Sequence, residues 1–417
     1  MLHLCSFVVL ALALSLHGAA TPVVTIRDTQ ITLPVIRRLN LTAGRDMLNH
    51  GQARVQALHR HAAEIASGKA TQRNAIHPIP ASDQAVTSVV SVGVGSPPTY
   101  YDLIIDTGSS NTWIGAGTPY VHTKTSIETR NEVSVGYGSG YFEGREYLDQ
   151  VSLGKHLTIH NQSIGVSDFS IGFQGYDGIL GIGPVGLTRY TLYPDYLQLI
   201  PTVTDNLFSQ QTISSRVVGV SYTPFFTPEG NDGEISFGGP NINSRKLIPP
   251  IHYVPTTTVY PASAYWGIDQ SVTYGANTPI LHSSSGIVDT GTTLIFLATD
   301  AYARYKLATG AVFDSDIGLL RIDKAQFARL ESLHFNIGGI SYELTPDAQI
   351  WPRALNVEIG GLADKIYLMI GDLGSPSGKG LDFINGYAFL QRYYSVFDTD
   401  KSRIGFAKTA YTYANVN

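Results

Sequence analysis

The tripeptide Asp-Thr-Gly occurs twice in this chain, at Asp106-Thr107-Gly108 and at Asp289-Thr290-Gly291, each time directly after aliphatic residues. The first copy is led by Leu103-Ile104-Ile105 and followed by Ser109-Ser110-Asn111-Thr112-Trp113; the second is led by Ile287-Val288 and followed by Thr292-Thr293-Leu294-Ile295. Average residue usage puts one such tripeptide in a chain of this length at odds of roughly one in ten, and two at roughly one in a hundred. A carboxylate at the end of an apolar strand is costly unless hydrogen bonds satisfy it. Two of them in matching surroundings point to a pair, held by a fold that presents the same loop twice.

At 417 residues the chain exceeds the size at which single cores stop growing, so two lobes plus processed segments are expected. Gly (42), Tyr (24) and abundant Val, Ile, Thr and Ser, with only 15% charged residues, predict an all-β architecture with few short helices. Nucleic acid is excluded as a partner by the net charge of -5. Cys5 is the only cysteine, so no disulfide framework is available. Leu4 to Leu16 is an apolar run followed by Gly18-Ala19-Ala20, which reads as a secretion signal over residues 1–20 and predicts a secreted, extracellular product. That run is too short for a comfortable membrane span and no later run is longer, so no stable membrane association is expected.

Residues 21–80 carry eight basic side chains against three acidic ones, a balance of +5, while residues 81–417 carry 20 basic against 30 acidic. A basic leader beside an acidic body reads as an electrostatically docked propeptide. Its stretch Arg45 to Ser67 has helix-forming composition without Pro and predicts a helix. From Val86 onward alternating apolar residues and Gly- or Pro-rich turns predict short strands, including a hairpin that delivers Asp106. Pro249-Pro250 reads as the crossover between an N-terminal lobe (81–250) carrying Asp106 and a C-terminal lobe (251–417) carrying Asp289. Within the second lobe, Gly286 to Phe296 reads as one strand and Thr299 to Thr309 as a short helix. Gly374 to Gly380 lacks the spacing of a phosphate loop and reads as a surface turn.

Six motifs, in order, resemble those of the pepsin-family aspartic endopeptidase precursors, the secreted fungal enzymes in particular. They are Asp106 to Trp113, Tyr137-Gly138-Ser139-Gly140, Asp177-Gly178-Ile179-Leu180-Gly181-Ile182-Gly183, Tyr265-Trp266-Gly267-Ile268, Ile287 to Thr293, and Tyr393-Tyr394-Ser395-Val396-Phe397-Asp398. The resemblance covers about residues 85 to 408 and implies a bilobal pepsin-like fold with the active-site cleft between the lobes. It implies hydrolysis of peptide bonds in proteins at acidic pH, with apolar residues preferred around the cleavage site, by a monomer made as a zymogen. Protein or peptide substrates and pepstatin-like inhibitors are the expected partners.

The residues supply a chemical rationale independently. Two carboxyls held close cannot both ionise easily, so one proton is shared. The ionised member can then take a proton from water attacking the carbonyl while its partner hydrogen-bonds the carbonyl oxygen, a scheme that needs no metal, cofactor or covalent intermediate. Asp106 and Asp289 are thus the expected catalytic pair. Gly108 and Gly291 let backbone amides approach, Thr107 and Thr290 can brace the two loops, and Ser109 and Thr292 can bond the outer carboxylate oxygens. Tyr137, with Gly138 and Ser139, forms a Gly-flanked hairpin tip that resembles the family's flap, and the resemblance places Trp113 beside it. By the same resemblance Phe169, Phe173, Tyr176 and Ile179 line a substrate pocket, and a leader cation, assigned to Lys69 with Arg73 next, blocks the two Asp residues.

Asn161 heads the one sequon expected in the mature region, and Asn40 heads another in the leader. Asn385 departs from the family pattern, which has an aliphatic residue there, and is expected to be hydrogen-bonded behind the Asp289 loop. Two other functions are open to the paired carboxylates: a catalytically silent pepsin-fold protein that binds peptides or carbohydrate, disfavoured by the intact motifs, and a glycosidase, which gives no reason for Thr-Gly after each Asp. By the same resemblance, Ser139 leaves the flap tip without the carboxylate that some fungal relatives have there, so cleavage after Lys is expected to be slow. Matched peptides with Lys or Leu before the scissile bond check this, and equal rates would contradict it.

Overall fold

The computed structural model describes residues 30–38, 44–68, 86–138, 140–154, 157–224, 230–244 and 246–417. The expected signal, the Asn40 sequon, Lys69, Arg73 and Ser139 lie outside these residues. The chain opens with strand β1 (Ile31–Arg38) and helix α1 (Gly44–Ser67), and β2 (Thr87–Val94), β3 (Thr99–Asp106) and β4 (Thr112–Ile114) follow. Then come β5 (Ile127–Gly136), β6 (Tyr141–Ser152), β7 (Thr158–Ile171), β8 (Gly178–Gly181) and β9 (Leu192–Tyr193). Helix α2 (Val203–Ser209), β10 (Val217–Tyr222), β11 (Gly230–Phe237) and β12 (Ile248–Pro255) close the first half.

The second half holds β13 (Gly267–Tyr274), β14 (Thr278–Val288), β15 (Ile295–Leu297), α3 (Thr299–Thr309), β16 (Val312–Asp314), β17 (Leu319–Ile322), β18 (Leu333–Ile337) and β19 (Ile340–Leu344). It ends with β20 (Ile366–Leu368), β21 (Ile370–Asp372), β22 (Phe383–Asn385), β23 (Tyr393–Asp398) and β24 (Arg403–Lys408). This is a mostly β, bilobal pepsin-like fold. One 14-stranded sheet runs β12-β24-β23-β10-β11-β1-β2-β3-β8-β4-β7-β6-β5-β9, so the last two strands of the chain return to the first half. A seven-stranded sheet, β19-β18-β13-β14-β22-β15-β21, and a small one of β16, β17 and β20 complete the second half.

The leader is built into this frame. In β1 the alternate residues Ile31, Leu33 and Val35 are buried, and the strand lies between β11 and β2. Helix α1 buries one stripe, Met47, Gly51, Arg54, Leu58 and Ala62, at the three- and four-residue spacing of a helix face. Helix α2 begins with a capping box between Thr202 and Asp205, and α3 stops at Gly310, whose φ of 66° suits the left-handed end of a helix.

One expectation is corrected. Gly286 to Phe296 is not one strand: β14 stops at Val288 and β15 starts at Ile295, because the Asp289 carboxylate needs a turn whose amides can reach it. Pro249-Pro250, read as the crossover between the halves, lies within β12. That strand ends the large sheet and its register with β24 shifts between Ile248 and His252, and an edge and a bulge are both settings where a sheet tolerates Pro.

Each lobe builds its Asp loop the same way. In the first, β3 and β4 flank β8, with Asp106 opposite Gly181 in a parallel register. In the second, β14 and β15 flank β22, with Val288 opposite Asn385. Asn385 therefore takes the place that Leu180 holds in the first lobe, and it is fully buried. Its amide is satisfied: Nδ2 donates to Gln270 Oε1 at 2.8 Å and Oδ1 accepts from Gln270 Nε2 at 3.2 Å. Asn385→Ala should strand the Gln270 amide and cost about 1–3 kcal/mol in denaturant unfolding, whereas Leu at both positions should recover most of it. Equal losses in the single and double variants would contradict this.

Candidate active site

β3 and β14 end at facing points and bring the two Asp-Thr-Gly turns together. Each carboxylate is satisfied by its own turn: Gly108 N donates to Asp106 Oδ1 at 3.0 Å and Ser109 Oγ to Asp106 Oδ2 at 2.5 Å. Gly291 N likewise donates to Asp289 Oδ1 at 3.1 Å and Thr292 Oγ1 to Asp289 Oδ2 at 2.6 Å. The threonines between them cross. Thr107 N donates to Thr290 Oγ1 and Thr290 N to Thr107 Oγ1, both at 2.9 Å, while the hydroxyls donate to Val288 O (3.1 Å) and Ile105 O (2.9 Å). Neither glycine has room for a side chain, since a Cβ on Gly108 would lie 2.8 Å from Asp289 Oδ1 and one on Gly291 2.6 Å from Asp106 Oδ1.

The group that reaches the pair comes from the leader. Arg54 of α1 donates from Nη2 to Asp106 Oδ1 at 2.5 Å and to Asp289 Oδ1 at 3.1 Å, and from Nε to Asp289 Oδ2 at 3.1 Å. The place expected for Lys69, on the two carboxylates, is held by Arg54. A planar guanidinium can serve two carboxylates at once, which a single ammonium does less well. Arg54 was legible only as part of the leader's positive charge. The signal that would have found it is its place as the one cation in the otherwise apolar or glycine stripe Met47, Gly51, Leu58, Ala62.

Burial is the largest influence on all three groups. It opposes the charge of Arg54, yet the two carboxylates outweigh it and raise the guanidinium pKa. Burial raises Asp106, with repulsion from Asp289 adding to it, against the pull of Arg54. Burial also works to raise Asp289, but the charge and hydrogen bonds of Arg54, with those of Thr292 and Gly291, bring it below its ordinary value. The two carboxyls are thus set apart, Asp289 as the ionised member and Asp106 as the one that holds a proton more readily.

β5 and β6 form the expected flap hairpin, closed by Tyr137 N donating to Gly140 O at 2.8 Å. Tyr137 is buried, and its hydroxyl accepts from Trp113 Nε1 at 2.9 Å. Trp113 stacks on Phe142 at 4.3 Å, and Phe173 sets its edge on both Trp113 and Tyr137. Tyr176 and Ile179 are buried in the same apolar cluster. Phe169 lies outside that cluster and is 51% exposed on β7. The flap tip rests on α1, where a Cβ on Gly138 would come within 2.2 Å of Ala53 O. Tyr265, part of a motif in the sequence, donates from its hydroxyl to Leu58 O of the same helix at 2.8 Å.

Outside the cleft, Asn161 is exposed on β7 with a left-handed φ of 51°, which Asn adopts more easily than most residues. The Gly374 to Gly380 turn has no amides to spare for a phosphate at its centre: Ser377 N donates to Asp300, and Gly378 N and Lys379 N donate to Asp382.

Residues 88–409 match the model of the eukaryotic aspartyl protease family. Polyporopepsin of Irpex lacteus is 57% identical over 339 residues, spanning 81% of this chain and 99% of that protein. Cathepsin D of Mus musculus is 28% identical over 350 residues, 76% of this chain and 79% of its own. The crystal structure of the aspartic proteinase from Irpex lacteus superposes with a TM-score of 0.79 at 49% identity, over 93% of this chain and all of that one.

The sign of the pH dependence of leader docking follows from Asp289. Its lowered pKa contributes to the docked form above the ordinary value of 3.8 and stops doing so as pH falls through the depressed value. Asp106, raised, works in the other direction and takes its proton first. Wild-type precursor should therefore stay intact at pH 5 and convert only as pH falls below 3.8 toward the depressed value of Asp289, whereas Arg54→Met should convert already at pH 5. Gel-monitored conversion across pH checks this, and identical profiles would contradict it.

Proposed function

Because the chain belongs to the eukaryotic aspartyl protease family and is an aspartic endopeptidase of the pepsin type, we propose that Asp106 and Asp289 perform its chemistry and that the leader keeps it latent. The observation that carries this reading is the single guanidinium of Arg54 bound to both carboxylates, with the flap tip closed on the helix that bears it. A substrate cannot enter while α1 lies there. Once the leader leaves, the two carboxyls face each other with nothing between them to balance both charges, so they share one proton.

The ionised carboxylate then takes a proton from water as that water attacks the scissile carbonyl. Its protonated partner donates a hydrogen bond to the carbonyl oxygen, and a proton passes to the leaving amine as the C–N bond breaks. Ser109 and Thr292 hold the outer oxygens, so that the inner ones keep their aim. Tyr137, tied to Trp113, closes over the bound peptide and shields the attacking water and the scissile bond from bulk solvent. The apolar wall made by Phe173, Tyr176 and Ile179 favours apolar side chains beside the scissile bond.

Residues 1–20 direct secretion, residues 21–80 act as the propeptide, and the product works as a monomer under acid conditions. Glycosylation at Asn161 is sterically free on the exposed strand. Pepstatin-like inhibitors should occupy the cleft after the leader is gone. Asp289→Asn should lower acid hydrolysis of protein on the order of 10²–10⁴-fold, and pepstatin should stop the wild type while leaving nothing further to inhibit in the variant. Hydrolysis that persists at the wild-type rate in Asp289→Asn would refute the assignment.

A further inference from the structure

The segment from Arg189 to Ile200 is rigid at its base and apolar at its outer edge. At the base, Ser134 N of the flap strand donates to Thr191 O at 2.9 Å, and Asn111 Nδ2, five residues after Asp106, donates to Thr191 Oγ1 at 3.0 Å. Ile200 N donates to Thr188 Oγ1 at 2.8 Å, and Tyr190 N closes the loop on Tyr196 O at 2.7 Å. Leu192 and Ile200 are buried in the cluster that contains Trp113 and Tyr137. The outer edge is the reverse: Tyr193, Tyr196 and Leu197 are 51%, 45% and 66% exposed, Leu199 is also exposed, and the two tyrosine rings lie 6.2 Å apart. Scattered exposed apolar residues are ordinary, but a contiguous group on a braced loop marks an interaction surface.

Its position indicates what it meets. β9 pairs with the flap strand β5, Leu192 opposite Val133 and Tyr193 opposite Glu132, and it stands last in the sheet order. Val133 is four residues from Tyr137, about 14 Å along an extended strand. The C-terminal end of the helix that occupies the cleft also lies on this side. His61 of α1 bonds to Leu187 O at 2.8 Å, and a side chain started on Gly68, just past the helix, would stand 3.6 Å from the Tyr190 hydroxyl.

We propose that the ridge Tyr193, Tyr196, Leu197 and Leu199 is an extended subsite for polypeptide substrates, taking apolar or aromatic residues about four or more positions from the scissile bond. Tyrosine rings suit the task, since they offer wide contact area with little conformational freedom to lose. The ridge touches no reacting atom, so it acts on substrate capture and leaves the chemical step alone. This rests on the proposed use of the cleft for polypeptide hydrolysis.

The test uses mature, leader-free enzyme with two substrates, acid-unfolded globin and a hexapeptide that spans only the cleft. The triple variant Tyr193→Ser, Tyr196→Ser, Leu197→Ser should raise KM for globin about tenfold with kcat unchanged and leave hexapeptide kcat/KM within about twofold. Tyr193→Phe with Tyr196→Phe should keep the wild-type KM. Unchanged globin kinetics, or equal losses on both substrates, would overturn the proposal, as would a wild-type dimer that the triple variant dissociates in sedimentation. A wild-type enzyme that fails on the hexapeptide would instead refute the hydrolytic reading of the cleft.

Discussion

Everything near the centre of this molecule follows from holding two carboxylates side by side away from water. Asp106 and Asp289 are at most 1% exposed, and charges so placed persist only if nearly every lone pair is engaged. The two turns meet that demand with the same parts: an amide from the glycine two residues on and a hydroxyl three residues on. The crossed threonines then fix one turn against the other across the lobe boundary, so that the spacing of the carboxyls does not depend on how the lobes are joined elsewhere. Glycine at both third positions is a steric necessity, since each faces the other loop's carboxylate at less than van der Waals distance for a methyl group.

The leader answers the same electrostatic problem from outside. A lone cation among buried residues is expensive for a helix, and two lone carboxylates are expensive for the lobes; the ion pairs of Arg54 offset both costs. Docking is reinforced away from the pair. β1 adds a strand between β11 and β2, Arg38 forms an ion pair with Asp102, and Gln52 Nε2 donates to Asp372 O at 2.9 Å. The flap also takes part, because its glycine tip packs on the backbone of α1. The contact that places Arg54 on the carboxylates and the contact that seats the hairpin tip thus belong to one helix surface.

Much of this was legible in the sequence because it rests on local chemistry. The paired Asp-Thr-Gly turns, the supporting hydroxyls, the flap hairpin and helix α1 all have signatures within a few residues. So does α3, found at Thr299–Thr309 as read. What escaped depends on tertiary placement. Arg54 is seven residues along one helical stripe from Met47, and nothing local says which of eight leader cations the helix will aim at the pair. Phe169 and Phe173 lie four residues apart, yet the first is exposed on β7 beside a shift in its register with β6, while the turn after the strand folds the second inward. Asn385 was legible as an anomaly, but its partner Gln270 lies 115 residues away and could be identified only by register.

The central claim, that Arg54 clamps the two carboxylates, is tested most directly with the leader supplied in trans. A peptide of residues 21–80 should inhibit the mature enzyme at pH 5 and lose potency as pH falls below 3.8 and through the depressed value at which Asp289 takes up its proton. The same peptide with Arg54→Met should inhibit about 100-fold less well at pH 5, in keeping with the loss of a buried charge pair. A peptide with Lys69→Met should inhibit like the unaltered one. Equal inhibition constants for the unaltered and Arg54→Met peptides, or a loss confined to Lys69→Met, would contradict the account.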